Sequence, residues 1–204
     1  GLHGYNAHDY RAEDLACFFD EASREGLALT REEELLKRIL IQNGFMRQRE
    51  AGFIPGRGSV LSISRSSPPT LRKHLLTHEC FHGVFFSLPP YRRACRQVWE
   101  ELSEGEKDFW KLFLDWQGYD IADTYLVVNE FQAYLFQQPR EFLNYYFKVL
   151  TVSRLISHYR GGEKEIQSFL ARYPHSFERS FDRLQRFLWQ ETQLEGGKLP
   201  GLQV

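Results

Sequence analysis

The sequence predicts a mainly α protein with a small β element, an α+β arrangement in which helices dominate. Most of the 204 residues fall in segments with apolar residues at helical spacing, and several segments open with a capping pattern and close at a glycine. Residues 45–65 break this pattern, because they are rich in glycine and contain a short alternating segment. We therefore expect a small β-hairpin or sheet there, followed by a long series of helices.

Two helices are predicted ahead of the β element. The first lies in "YRAEDLACFFDEASREG" and ends at Gly26. The second lies in "TREEELLKRILIQNGF", where Thr30 and Glu33 form a capping box and Gly44 ends the helix. Within the β element, "SVLSISR" (residues 59–65) alternates apolar and polar residues and is the better strand.

Helices fill the rest of the chain. Pro68 and Pro69 fit the first turn of the next helix, where missing N–H groups cost little. Ser103 and Glu106 form a second capping box. The other helices are predicted in the segments "YRRACRQVWEELS", "DIADTYLVVNEFQAYLFQQP", "REFLNYYFKVLTVSRLISHYRGG", "EKEIQSFLARYP" and "FERSFDRLQRFLWQET". We expect one domain over residues 1–204, made of the β element at 45–65, a helical part at 68–138 and a C-terminal helical part at 139–192.

Composition argues against two classes of partner. The formal net charge is −1, from 26 Lys and Arg against 27 Asp and Glu, so no excess of positive charge indicates nucleic acid. No run of about 18 apolar residues occurs, so no membrane span is expected. The chain begins at Gly1 without an initiator methionine or a visible signal peptide. This is expected if a signal or an upstream domain has been removed, or if Gly1 is the remnant of a tag, and on this ground we favour an extracytoplasmic protein.

The segment "LLTHECFHGVFF", residues 75–86, contains His78, Glu79 and His82 in the spacing H-E-x-x-H. Residues four apart on a helix lie on one face, so both imidazoles can reach one ion. Zinc favours nitrogen ligands in a tetrahedral site, and a catalytic site keeps one position for water. A glutamate beside the first histidine can take a proton from that water. The spacing therefore predicts a zinc site with Glu79 as general base.

The residues around the motif favour this interpretation. Leu75, Leu76, Phe81 and Phe85 make most of the helix apolar. Three polar side chains on a buried helix need compensation, because burying an unpaired charge is costly, and metal coordination would supply it. The alternative is an ordinary helix whose histidines are hydrogen-bonded or exposed to solvent.

A third protein ligand is needed, and Glu130 on a later helix is the best candidate. The longer motif H-E-x-x-H-x-x-G-x-x-H is not met, because Phe85 and Leu88 occupy two of its positions. Glu130 lies within "VVNEFQAYLF", a strongly apolar helix in which a solvated carboxylate is not expected. Ala133, one turn further on, would let that helix pack closely against the histidine helix.

Five other residues remain possible third ligands: Glu100, Glu101, Glu141, His158 and His175. Glu100 and Glu101 lie on a charged helix, where solvation is the simple explanation. Glu141 begins a helix just after a proline, where a carboxylate interacts favourably with the helix dipole. The two histidines would give an all-histidine site.

With Glu130 in "NEFQAY" following His78, Glu79 and His82, the sequence resembles the gluzincin metallopeptidases, the thermolysin-like group. The resemblance covers residues 59–136. It implies a helical metallopeptidase-like domain in which both histidines and Glu130 bind zinc and Glu79 is the base. It also implies that the strand "SVLSISR" lines the cleft and pairs with an extended substrate.

One position departs from that group. Its thermolysin-like members have an aspartate four residues after the ligand glutamate, which orients the first histidine, and Tyr134 stands there instead. The Tyr134 hydroxyl can hydrogen-bond a histidine, and Asp123, two turns before Glu130, is a substitute candidate. His158 is a candidate donor of a hydrogen bond to the oxyanion of the transition state.

Two classes of function follow from this pattern. The first is a zinc-dependent metallopeptidase, a hydrolase that cleaves a peptide or protein substrate with zinc-activated water and a glutamate base. The second is a non-catalytic metal-binding or interaction module that keeps a metallopeptidase-like fold. Glu79 favours the first, because a metal that only stabilises the fold needs no base beside it.

Overall fold

The computed structural model describes residues 7–50 and 52–199. The chain divides into two compact units, residues 1–66 and residues 67–204. We predicted one domain, and the division falls between the predicted β element and the helices that follow it. Each unit has a hydrophobic core of its own, which is the physical basis of the division.

Over residues 7–50 and 52–66, the first unit combines two helices with four short strands. Its elements are β1 (Ala7–Arg11), α1 (Ala12–Arg24), α2 (Arg31–Gln42), β2 (Met46–Arg49), β3 (Gly52–Pro55) and β4 (Ser59–Ile63). The strands form two antiparallel pairs, β1 with β4 and β2 with β3. The core of this unit is built from Leu15, Ala16, Phe19, Leu40 and Met46.

The predicted β element is therefore present, but its pairing is more extensive than the sequence indicated. Strand β4 pairs with β1 in a register that places Val60 opposite Tyr10. We predicted no strand at Ala7–Arg11, and the first predicted helix began at Tyr10. That helix begins at Ala12 instead.

The regular structure of the second unit is helical over its described residues, 67–199. Its helices are α3 (Pro69–Ser87), α4 (Pro89–Glu100), α5 (Glu104–Gln117), α6 (Thr124–Phe136), α7 (Val152–His158), α8 (Glu163–Arg172) and α9 (Ser176–Thr192). The segment 140–162, predicted as one helix, instead contains a 3₁₀ turn at Arg140–Phe142 and a π-helix at Tyr145–Thr151 before α7. Apolar spacing does not separate such turns from α turns.

The predicted fold class, mainly α with a small β component, is confirmed. Both predicted capping boxes are also present: Glu33 accepts from the Thr30 backbone N–H at 2.7 Å, and Glu106 accepts from the Ser103 backbone N–H at 3.0 Å. Within residues 7–50 and 52–199, no helix is long and apolar enough to cross a membrane.

Helix α6 lies at the centre of the second unit. A continuous run of its residues is buried: Val127, Val128, Asn129, Glu130, Phe131, Gln132 and Ala133. Phe131 packs edge-on against Trp110 of α5, and Trp110 also contacts Phe147 and Phe177. Since aromatic packing surrounds α6 on several sides, polar groups on this helix are held in fixed positions.

Gln132 links α6 to two neighbouring helices. Its side-chain N–H donates to the backbone carbonyl of Phe81 in α3 at 3.1 Å, and its carbonyl accepts from the Tyr91 hydroxyl in α4 at 3.0 Å. Gln132 and Tyr91 are fully buried. The amide therefore fixes the position of α6 relative to α3 with directional bonds, in addition to apolar packing.

We expect Gln132→Leu to lower the free energy of unfolding by about 1–3 kcal/mol, because the buried Tyr91 hydroxyl loses its acceptor. Urea denaturation followed by circular dichroism measures the change. Gln190→Leu, an exposed position on α9, serves as the matched control and should shift stability by less than about 0.5 kcal/mol. Equal stability of the wild type and Gln132→Leu would contradict this role.

Candidate metal centre

Helix α3 presents two buried histidines on one face. His78 and His82 lie one turn apart, 6% and 1% exposed, and their Nε2 atoms are 3.0 Å from each other. The rings meet at a steep angle, with centroids 4.6 Å apart. The two nitrogens therefore point at a common region between α3 and the helix that covers it.

Glu130 of α6 completes this group from the opposite side. One of its carboxylate oxygens lies 3.3 Å from His78 Nε2 and the other lies 3.5 Å from His82 Nε2. The side chain is buried, with 4% of the residue exposed. Helices α3 and α6 pack directly on each other, and Ala133 is fully buried, so the small side chain fits the close packing we expected.

The separations between the nitrogen and oxygen atoms of this group are close to those of ligands around one metal ion. Bonds of about 2.0–2.2 Å to a tetrahedral zinc separate neighbouring ligand atoms by roughly 3.3–3.6 Å. The three measured separations are 3.0, 3.3 and 3.5 Å. A divalent cation among these atoms would also balance the buried negative charge of Glu130. His78, His82 and Glu130 can therefore hold a metal ion.

Glu79 is the fourth polar side chain of the region. It is buried, 6% exposed, and directly follows His78 in helix α3. One of its carboxylate oxygens lies within 4.8 Å of a ring nitrogen of His82. It is not a member of the group formed by the histidines and Glu130.

Of the three further candidates, Tyr134 alone lies beside this group. Its ring packs edge-on against His78, with centroids 4.6 Å apart. Asp123 is exposed at the N-cap of α6, where its carboxylate accepts from the backbone N–H groups of Tyr125 and Leu126 at 2.9 and 3.2 Å. His158 is exposed at the end of α7 and packs against the neighbouring tyrosine.

The structure leaves the rival ligands outside the group. Glu100, Glu101, Glu141 and His175 are all exposed. Glu101 forms an ion pair with Arg183, and Glu141 lies in the 3₁₀ turn before the π-helix. Solvation is therefore the simple explanation for Glu100 and Glu101, as their charged helix indicated.

Sequence reasoning missed Tyr119, which lies in the connection between α5 and α6. Its hydroxyl is 3.4 Å from the Tyr134 hydroxyl. Burial raises the pKa of Tyr119 far above its usual value, and the negative charge of Glu130 raises it further. Burial also raises the pKa of Tyr134. Both hydroxyls therefore keep their protons at neutral pH and can donate hydrogen bonds. The one feature of the sequence that marked Tyr119 was its position directly after Gly118, the glycine that ends α5.

His74 extends the row of histidines along α3, one turn before His78. It is half-buried, and its Nδ1 lies 3.5 Å from the side-chain nitrogen of Gln138. Burial lowers the pKa of His74, and the neighbouring His78 lowers it further. The His74 ring is therefore neutral at pH 7, so it adds no positive charge that would repel a cation.

Comparisons of the chain with protein-family models, with curated proteins and with solved structures each found no match. Inferences about function therefore rest on the side chains of the site and their geometry.

We expect the wild-type chain to bind one zinc ion, and His78→Ala to abolish stoichiometric binding, because two protein ligands hold zinc far more weakly than three. The zinc content of each protein is measured by inductively coupled plasma mass spectrometry, after zinc loading and dialysis. Zinc at 100 times its Kd should also raise the stability of the wild type by about 2.7 kcal/mol.

The matched control is His158→Ala, which removes an exposed histidine from the same unit. It should bind zinc as the wild type does. Retention of stoichiometric zinc by His78→Ala, or equal loss of zinc in the control, would show that the metal binds elsewhere.

Proposed function

We propose that this protein is a zinc-dependent metallopeptidase that hydrolyses peptide bonds in a peptide or protein substrate. The observation that carries the proposal is the convergence of two imidazole nitrogens and one carboxylate, all buried, with a second buried carboxylate on the same helix turn. An ordinary structural helix gains nothing from burying four polar side chains together.

The donor set supports zinc. The two imidazole nitrogens are borderline donors that suit zinc and neighbouring late transition metals, and zinc also accepts a carboxylate oxygen, whereas calcium and magnesium favour all-oxygen sites. Three protein ligands leave a coordination position for water or substrate, which is the arrangement of catalytic zinc sites. When bound, zinc would polarise the substrate carbonyl and make water more acidic.

Glu79 supplies the proton transfer in this proposal. Its carboxylate is close to His82 but is not part of the ligand group, which places it to act on a water molecule near the ligands. It would accept the proton of the attacking water and pass that proton to the nitrogen of the leaving amine. Burial strengthens this role, because few solvent molecules compete for the carboxylate.

The substrate class follows from this chemistry. A carbonyl polarised by a metal, a water activated by a carboxylate and a leaving amine that must be protonated are the needs of amide hydrolysis. A non-catalytic metal-binding module would share the ligand group but would have no use for Glu79. The position of Glu79 therefore separates the two functions, and it is the residue to change.

We expect Glu79→Gln to bind zinc with wild-type stoichiometry and to lower the turnover number by about 10² or more, because the amide cannot accept the proton. The assay follows cleavage of a mixture of unfolded proteins and peptides, with fragments identified by mass spectrometry. The chelator-treated wild type should be inactive, and added zinc should restore its activity.

Glu100→Gln is the matched control, since it neutralises an exposed carboxylate on α4 of the same unit. It should keep full activity. Cleavage that resists the chelator, or full activity of Glu79→Gln, would rule out the proposed mechanism. Stoichiometric zinc without cleavage of any substrate would favour the non-catalytic module.

A further inference from the structure

We propose that Tyr134 is a positioning residue of the metal centre, whose aromatic ring packs against His78 and holds that imidazole in the orientation that binds the ion. The inference rests on the metal centre of the proposed function. It does not depend on which reaction the metal supports.

Tyr134 lies on the same face of α6 as Glu130, because the two residues are four positions apart on the helix. His78 and His82 are related in the same way on α3. The two faces meet at His78, which lies 3.3 Å from the Glu130 carboxylate and packs against the Tyr134 ring. Helix α6 therefore supplies one ligand and also the ring that contacts a second ligand.

The contact between the two rings is close. The centroids of His78 and Tyr134 are 4.6 Å apart, and the ring planes meet at 67°, the edge-on arrangement that aromatic pairs favour. The other histidine of the group, His82, has a looser aromatic contact, with the Phe86 ring at 6.3 Å. His78 is therefore the ligand histidine with the closer aromatic neighbour.

The position of the Tyr134 ring is set by the aromatic core. Phe113 of α5 packs edge-on against it, with centroids 4.7 Å apart and an interplanar angle of 84°. Phe113 is fully buried and also contacts Trp110 and Phe147, at 5.9 and 6.0 Å between centroids. His78 thus packs against a ring that close packing holds in place.

The ring and the hydroxyl of Tyr134 can be tested separately. The ring meets His78, whereas the hydroxyl lies 3.4 Å from the Tyr119 hydroxyl. An imidazole that is already held in its binding orientation loses less side-chain entropy when it binds an ion. Loss of one aromatic pair changes an equilibrium constant by about 2–12-fold. The ring, and not the hydroxyl, should therefore carry this effect.

Two variants, Tyr134→Phe and Tyr134→Leu, test the inference. Zinc dissociation constants are measured by competition with a chromophoric chelator, and the folded state of each variant is checked by circular dichroism. We expect Tyr134→Phe to bind zinc with wild-type affinity and Tyr134→Leu to bind it about 2–12-fold more weakly. The visible spectrum of the cobalt-loaded protein reports the ligand geometry. It should change in Tyr134→Leu and match the wild type in Tyr134→Phe.

Tyr173→Leu is the matched control, since it removes a half-buried tyrosine ring of the same unit that packs against Phe169, with centroids 5.5 Å apart. Its zinc affinity and cobalt spectrum should equal those of the wild type. An equal loss in the control would mean that removing a ring acts through the general structure, and it would overturn the inference. If Tyr134→Leu does not fold, Tyr134→Met takes its place with the same expectations, because a flexible methionine side chain adapts to an irregular space.

The outcomes separate the two proposals. Wild-type affinity and an unchanged cobalt spectrum in folded Tyr134→Leu would overturn the role of the ring and leave the metal centre intact. Equal losses in Tyr134→Phe and Tyr134→Leu would assign the effect to the hydroxyl and would also overturn the inference. A wild-type chain that binds no zinc would overturn the metal centre, and the inference would fall with it.

Discussion

The burial of the Glu130 carboxylate against two imidazole nitrogens is the constraint on which the second unit depends. A carboxylate on the central helix of an aromatic core loses most of its hydration, and its charge must be balanced by groups within a few ångströms. The two Nε2 atoms and the carboxylate oxygens approach each other at distances suited to ligands of one ion. The packing of α3 on α6 therefore serves two purposes. It balances the buried charge of Glu130, and it brings the three side chains of the candidate site together.

The rest of the unit fixes this geometry. Gln132 joins α6 to α3 and α4 through directional bonds, and Trp110 and Phe131 hold α6 by edge-on aromatic contacts. All three side chains of the candidate metal centre are carried by helices, and not by loops, so their positions vary little. A site of this kind is formed before a ligand arrives, which lowers the entropy lost on binding and keeps Glu79 at a constant distance from the ligands.

The features that could be predicted from the sequence are those that depend on neighbouring residues, and the features that were missed depend on tertiary contacts. His78 and His82 are four residues apart on a helix, so helical geometry alone places them together, and Glu130 stood out as a charge within an apolar helix. Tyr119 could not be found in this way, because its position depends on the left-handed turn at Gly118 and on tertiary packing. Asp123 was a candidate partner for a ligand histidine because of its spacing from Glu130, but its carboxylate instead accepts from the first backbone N–H groups of α6. The strand at Ala7–Arg11 was missed because its partner, β4, lies about 50 residues away in the sequence.

The most direct test of the account is the anomalous diffraction of a zinc-loaded crystal, collected at the zinc absorption edge. The account predicts one strong peak per chain, at about 2.0–2.2 Å from His78 Nε2, from His82 Nε2 and from a carboxylate oxygen of Glu130. A peak that lies more than about 5 Å from the Glu130 carboxylate would show that another residue is the third ligand. The absence of any peak near the two histidines at saturating zinc would contradict the metal centre itself.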